Sequence, residues 1–168
     1  MKGSRGFTLM ELVMILLIIA IMGVLVMRPI SYLSSIREQE AASKVKSDIR
    51  YAQSYALSSQ QRTRISFDTA AQTYSVYYEN PANTWNLLTD PLNKSNFTIN
   101  IGSGDYSGVS MSQTNFNGIG NSLVFDDAGK SYSCNSSGGS IAALASQGSV
   151  TFSGGSTVTV EANTGKVQ

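Results

Sequence analysis

The chain has 168 residues with 12 basic and 11 acidic side chains, a formal net charge of +1 at pH 7, no histidine and one cysteine. That length holds one apolar helix and one domain able to bury a core, and the charge balance supplies no overall field for nucleic acid. A lone cysteine excludes an intrachain disulfide, and without histidine any catalytic site would have to use carboxylates, lysine or hydroxyl nucleophiles.

Residues 3–27 read GSRGFTLMELVMILLIIAIMGVLVM. Leu12 to Met27 is a run of 16 uncharged, mostly apolar residues, and counting from Phe7 gives 21. At ~1.5 Å per helical residue the longer segment extends roughly 31 Å, about the thickness of a bilayer's hydrocarbon core. Glu11 is the one acid in it. An acid at the centre of a spanning helix costs about 2.5 to 3.5 kcal/mol on insertion scales, less toward an end, so its presence predicts a partner. Cutting the chain between Gly6 and Phe7 would create one, because the new α-amino group would lie one helical turn from the Glu11 carboxylate. The pair could form within one chain or between neighbours. An ordinary secretory signal, with Lys2 and Arg5 ahead of an apolar region, fits less well. The run is long, and Met27-Arg28-Pro29 interrupts the place where a small-x-small cleavage site should follow.

Arg5-Gly6-Phe7-Thr8-Leu9-Met10-Glu11-Leu12 resembles the processing signal of type IV prepilins and type II secretion pseudopilins: a short basic leader, Gly, Phe, then T-L-x-E. The resemblance implies that a prepilin peptidase removes residues 1–6 and N-methylates Phe7. It also implies that Glu11 registers each subunit against the amino terminus of a neighbour in a helical filament. Lys2 and Arg5 favour a cytoplasmic N-terminus by the positive-inside rule, which puts the rest of the chain on the periplasmic side of a bacterial inner membrane.

After the apolar run, Ile30, Leu33, Ile36, Ala41, Val45, Ile49, Ala52 and Ala56 recur at spacings of mostly three and four, the stripe of an amphipathic helix. Arg37, Glu40, Lys44, Lys46 and Asp48 are expected on its solvated side. Pro29, between the two segments, predicts a kink in one long helix over about Phe7 to Ser58. Residues 28–64 hold seven basic and three acidic residues, whereas 65–168 hold three and seven. The basic excess reads as a solvated helix face rather than a phosphate site.

Beyond Ser59 the pattern is β. Arg64 to Phe67 and Thr73 to Tyr78 flank Asp68-Thr69-Ala70-Ala71-Gln72, a hairpin signal with aromatic and β-branched enrichment. Further strands are expected at Phe97 to Ile101, Gly108 to Met111, Ser122 to Phe125, Ser149 to Phe152 and Thr157 to Glu161. Turns are expected at Asp126 to Gly129, Ser153 to Gly155 and Asn163 to Gly165. The expected fold class is α+β: a long N-terminal helix, membrane-spanning in its first half and amphipathic in its second, packed on a small antiparallel β-sandwich-like head. The divisions are 1–6 leader, 7–28 transmembrane and assembly helix, 29–59 amphipathic helix and 60–168 head.

The head is similar to the GspH/FimT family of minor pseudopilins and minor pilins. The similarity rests on Arg64-Ile65-Ser66-Phe67-Asp68, Thr73 to Tyr77, Phe125-Asp126-Asp127-Ala128-Gly129 and Asn163-Thr164-Gly165-Lys166-Val167. It implies a structural subunit near the tip of a filament, with other pilins or pseudopilins, the prepilin peptidase and an inner-membrane assembly platform as partners.

No catalytic, cofactor or metal motif stands out, and the protein reads as a non-enzyme without a cofactor. Asp126-Asp127 lacks the alternating oxygen ligands and distal Glu of a calcium loop, and reads as a turn. Cys134, in SYSCNSSGG, reads as an incidental thiol in a Ser/Gly loop. Tyr51, Tyr55, Tyr74, Tyr77, Tyr78 and Trp85 could stack bases or sugars, but at these spacings packing is the default. The expected function is initiation or capping of a type II secretion pseudopilus or type IV pilus. One alternative is a DNA-binding minor pilin, against which Gly165-Lys166-Val167-Gln168 offers a single base where phosphate neutralisation needs several. Another is an uncleaved single-pass anchored protein.

Overall fold

The computed structural model describes residues 6–26, 31–80, 84–117 and 119–168. The chain divides into two compact units, Met1–Leu33 and Ser34–Gln168. In the first, helix α1 runs over Leu9–Val26. Thr8 opens it: the Glu11 amide donates to the Thr8 carbonyl at 3.1 Å and to its hydroxyl at 3.3 Å, as an N-cap residue requires. The helix is apolar all round, and its side chains through Met22 stand exposed, so it has no face of its own to bury. Eighteen residues amount to about 27 Å. Among the described residues no helix is long and apolar enough to cross a membrane. The expected span over 7–28 is therefore seen only as this shorter helix, and the expected kink at Pro29 lies outside the described residues.

The second unit contains residues 34–59 of helix α2 (Ser31–Ser59). Ala41, Val45, Ile49, Ala52 and Ala56 are all at most 1% exposed, which is the predicted stripe. Three of these five are alanines, letting the helix backbone approach the sheets closely. Leu33 and Ile36, predicted for the same stripe, are 56% and 37% exposed, and Ile30 lies outside the described residues. Asp48 departs from expectation in the other direction, being 5% exposed rather than solvated. At 100° per residue it falls within about 60° of Val45 and Ala52, so the periodicity itself places it on the buried side. Gln60, with φ of 53°, ends the helix in the left-handed region.

Ten strands follow. β1 (Thr63–Asp68) and β2 (Thr73–Asn80) form the predicted hairpin with Ile65 opposite Val76. Asp68 Oδ1 fixes its turn by accepting from the Ala70 and Ala71 amides, both at 2.9 Å. Next come β3 (Thr84–Leu87), β4 (Thr98–Asn100), β5 (Met111–Asn115), β6 (Ser122–Phe125), β7 (Ser131–Cys134), β8 (Ile141–Ala143), β9 (Gly148–Phe152) and β10 (Thr157–Val160). A seven-stranded sheet has the order β3-β2-β1-β6-β7-β8, with β4 pairing on β2 beside β3, and a three-stranded sheet has the order β10-β9-β5. Every strand pair is antiparallel.

The expected sandwich-like head therefore consists of one large antiparallel sheet and one small one. β5 begins where the expected strand ended, at Met111, and carries a register shift between Met111 and Gln113. Strands β3, β7 and β8 were not expected. Cys134 lies at the end of β7 and is fully buried, which corrects its placement in a loop. Serines and a cysteine carry no apolar alternation, yet Ser131, Ser133 and Cys134 are all fully buried.

One core gathers the α2 stripe with Ile65, Phe67, Tyr74, Val76, Leu123 and Phe125 of the large sheet and Met111, Val150, Phe152, Val158 and Val160 of the small one. The helix lies on the face carrying Ile65 and its register partners Val76 and Leu123. By the strand period of two, Arg64, its partners Tyr77 and Val124, and Tyr132 occupy the opposite face.

Candidate functional site

The residues predicted to carry function lie in the first unit. Gly6 has open space around it, Phe7 is 72% exposed just before α1, and Glu11 sits exposed in the first helical turn. The positive end of the helix dipole favours a carboxylate there. Thr8-Leu9-Met10-Glu11 also fits the capping-box pattern, of which the Thr8 hydroxyl half is formed. The Phe7 nitrogen is in a peptide bond in this chain. What this end of the molecule offers is an exposed apolar cylinder with one acid at its start.

In the second unit the side chains that fasten α2 to the head are polar and were not legible as such. Glu38, 6% exposed, accepts from the Gly154 amide at 2.6 Å and the Ser156 amide at 2.8 Å, gripping the turn between β9 and β10. Gly154 is required by proximity, since a Cβ there would stand 2.1 Å from Glu38 Oε2. Asp48 accepts from the Tyr74 hydroxyl at 2.5 Å and from Lys44 at 2.7 Å. Arg50 donates to the Val167 carbonyl at 3.0 Å. Gln53 donates to the carbonyls of Gly129 at 2.8 Å and Thr164 at 3.1 Å. These bonds tie the helix to both sheets and to three separate turns.

Burial, and then the Asp48 carboxylate, pushes the Tyr74 phenol well above its ordinary value. A tyrosine so raised contributes stability that is whole below the unfolded value near 10 and is lost as pH rises beyond it. Each such group should lower unfolding free energy by about 1.4 kcal/mol per pH unit there. Urea midpoints at pH 9, 10 and 11 should fall less steeply in Tyr74→Phe than in the parent, and parallel declines would contradict this.

The remaining sequence candidates resolve into structure. Asp126 Oδ1 accepts from the Ala128 and Lys130 amides at 3.0 and 2.8 Å, and Oδ2 from the Tyr132 hydroxyl at 3.0 Å, so both oxygens serve the predicted turn. Tyr51 packs on Phe97 at 5.8 Å between ring centroids, and Tyr74 on Phe67 at 5.7 Å. Tyr77 and Trp85 instead cover a buried arginine, Arg64. The segment after Gly165 pairs back on β10: Val167 bridges Val160, and the Gln168 and Thr159 amides donate to each other's carbonyls at 2.9 and 3.1 Å.

An exposed apolar N-terminal helix followed by an amphipathic helix seated on antiparallel sheets defines a subunit of the pilin and pseudopilin class. Residues 41–165 match the family model described as type II transport protein GspH, and the chain belongs to that family. The structure is similar to the minor pseudopilin EpsH from the type 2 secretion system of Vibrio cholerae, with a TM-score of 0.53 at 11% sequence identity over 79% of this chain and 94% of that one. It is also similar to the type IV minor pilin FimU of Pseudomonas aeruginosa, with a TM-score of 0.47 at 14% identity over 77% and 90%. No curated protein matches the chain in sequence.

Proposed function

We propose that this protein is a minor pseudopilin that helps initiate or cap a type II secretion pseudopilus, acting as a structural subunit and not as an enzyme. In this reading the prepilin peptidase cuts between Gly6 and Phe7 and methylates the new amine. The apolar helix and its flanking residues anchor the subunit in the inner membrane, with the head in the periplasm. Assembly by the inner-membrane platform then moves α1 out of lipid to pack against the helices of neighbouring pseudopilins.

The observation that carries the proposal is α1 itself, apolar on every side, uncovered, and bearing one acid a single turn after Phe7. An apolar surface of this extent needs lipid or other helices over it. The polar grip of Glu38, Asp48, Arg50 and Gln53 supports the same reading, because a force applied to the amphipathic helix would pass to the head without loosening it. The DNA-binding alternative gains nothing from Lys166, a single exposed base in a segment held on β10.

Intact-mass analysis of protein recovered from membranes tests the processing step. The expected N-terminus is N-methylated Phe7, and a mature chain that still begins at Met1 or Lys2 would overturn the proposal.

A further inference from the structure

Arg64 is 4% exposed, and burial pushes its guanidinium below the ordinary value. Every Asp and Glu of the chain is among the described residues, and among those residues the ion pairs are Lys44 with Asp48 and Arg62 with Glu79, leaving Arg64 without a carboxylate. Its planar group lies over the rings of Tyr77 and Trp85, with Cζ 4.5 and 4.9 Å from the ring centroids. Nη1 donates to the Ser136 carbonyl at 2.9 Å. Nε has no partner, and neither has the buried indole Nε1 of Trp85.

These donors converge under one short turn. A Cβ on Gly138 would stand 2.1 Å from Trp85 Nε1 and 2.7 Å from Arg64 Nη1, so the glycine backbone lies directly over both. The turn is closed mainly on itself: Asn135 Oδ1 accepts from the Gly139 amide at 2.8 Å and the Ser137 hydroxyl at 2.9 Å. Its bond to the guanidinium is the single one at Ser136. Ser136, Ser137, Gly139 and Ser140 are exposed, so the cover faces solvent.

We propose that Arg64 and Trp85 form a carboxylate-binding site beneath the 135–139 turn. A carboxylate entering there replaces one neutral carbonyl with a charge-assisted pair to the guanidinium fork, about twice as strong per bond. It also gives the two orphaned donors an acceptor. The desolvation of the cation, one of the two desolvation costs of a buried ion pair, has already been met in folding. The two aromatic rings pack against the guanidinium and favour its charged form. The site does not depend on the subunit role proposed above.

Trp85 is the sole tryptophan of the chain, so its fluorescence reports the site directly. The full chain in detergent should be titrated at constant ionic strength with acetyl-Ala-Glu-Ala-amide and with its Gln counterpart. The Glu peptide should give a saturable change and the Gln peptide none, and Arg64→Gln should weaken the response at least tenfold. Gly138→Ala keeps the arginine but cannot close the turn, and removing the opening step should tighten apparent affinity by about threefold to tenfold. Should Arg64→Gln lose its near-ultraviolet circular dichroism, Gly138→Ala decides alone: unchanged affinity overturns the proposal. So does an equal response to the two peptides. A titration with acetate then separates the sources. Saturation by acetate assigns the site to small free carboxylates, saturation by the peptide alone assigns it to protein side chains, and both outcomes uphold carboxylate binding.

Discussion

Glu38→Ala is expected to lower the unfolding free energy of the head by about 3 kcal/mol, a large part of the ~5 to 15 kcal/mol that holds a domain together. The carboxylate is nearly inaccessible and receives two backbone amides from one turn. Bonds to a charged acceptor contribute about 1.5 to 3 kcal/mol each, and their loss leaves both amides short of an acceptor. Glu38→Gln retains one acceptor oxygen and should cost roughly half as much. Gly154→Ala should approach the effect of Glu38→Ala by another route, since its methyl would stand 2.1 Å from Oε2 and displace the carboxylate. The double variant should therefore cost clearly less than the two single losses added together, by about 1 kcal/mol or more. Urea unfolding followed by Trp85 fluorescence measures all four, and strict additivity would show that Glu38 and Gly154 act separately.

That prediction rests on a residue whose role the chain pattern does not reveal. Helical periodicity made the apolar stripe legible, and Ala41, Val45, Ile49, Ala52 and Ala56 lie where it puts them. A charge inside such a stripe is ambiguous in one dimension. Asp48 and Glu38 look like surface residues until the tertiary fold supplies the Tyr74 hydroxyl and the Gly154 and Ser156 amides. Those partners are 26, 116 and 118 residues away, beyond any local pattern.

The strands divide on the same principle. β1, β2, β6, β9 and β10 carry β-branched or aromatic residues and Gly or Asp turns, and were legible to within a residue or two. β7, with the sequence SYSC, was not. Its inward Ser131 spends its hydroxyl on the Glu161 carbonyl at 3.0 Å, so its burial is satisfied by hydrogen bonding rather than by hydrophobicity. β3 (TWNL) and β8 (IAA) carry no fully buried residue, so no inward-outward alternation marks them. The Arg64 cluster was hidden for a further reason. Arg64 and Tyr77 are register partners, and Trp85 is set by its pairing with Glu79, so the cluster exists only once β1, β2 and β3 lie side by side.

The second large effect is expected at Glu11. Glu11→Ala should be cut after Gly6 as the parent is, yet enter filaments at least tenfold less efficiently, the change expected from losing about 1.4 kcal/mol of subunit pairing. The substitution does not weaken the helix, because Ala has the highest helix propensity and Thr8 still caps the first turn through its own hydroxyl. Nor should it weaken membrane insertion, since removing an acid from an apolar segment lowers the insertion cost. What remains to be lost is the charge that a neighbour's N-terminal amine would meet. Glu11→Gln separates this from a capping role. An uncharged amide of the same shape can still reach the first-turn backbone, so capping predicts near-normal incorporation, whereas charge pairing predicts a defect as deep as that of Ala. Quantifying both variants in sheared filaments against the membrane pool distinguishes the two, and normal incorporation of Glu11→Ala would remove the pairing role altogether.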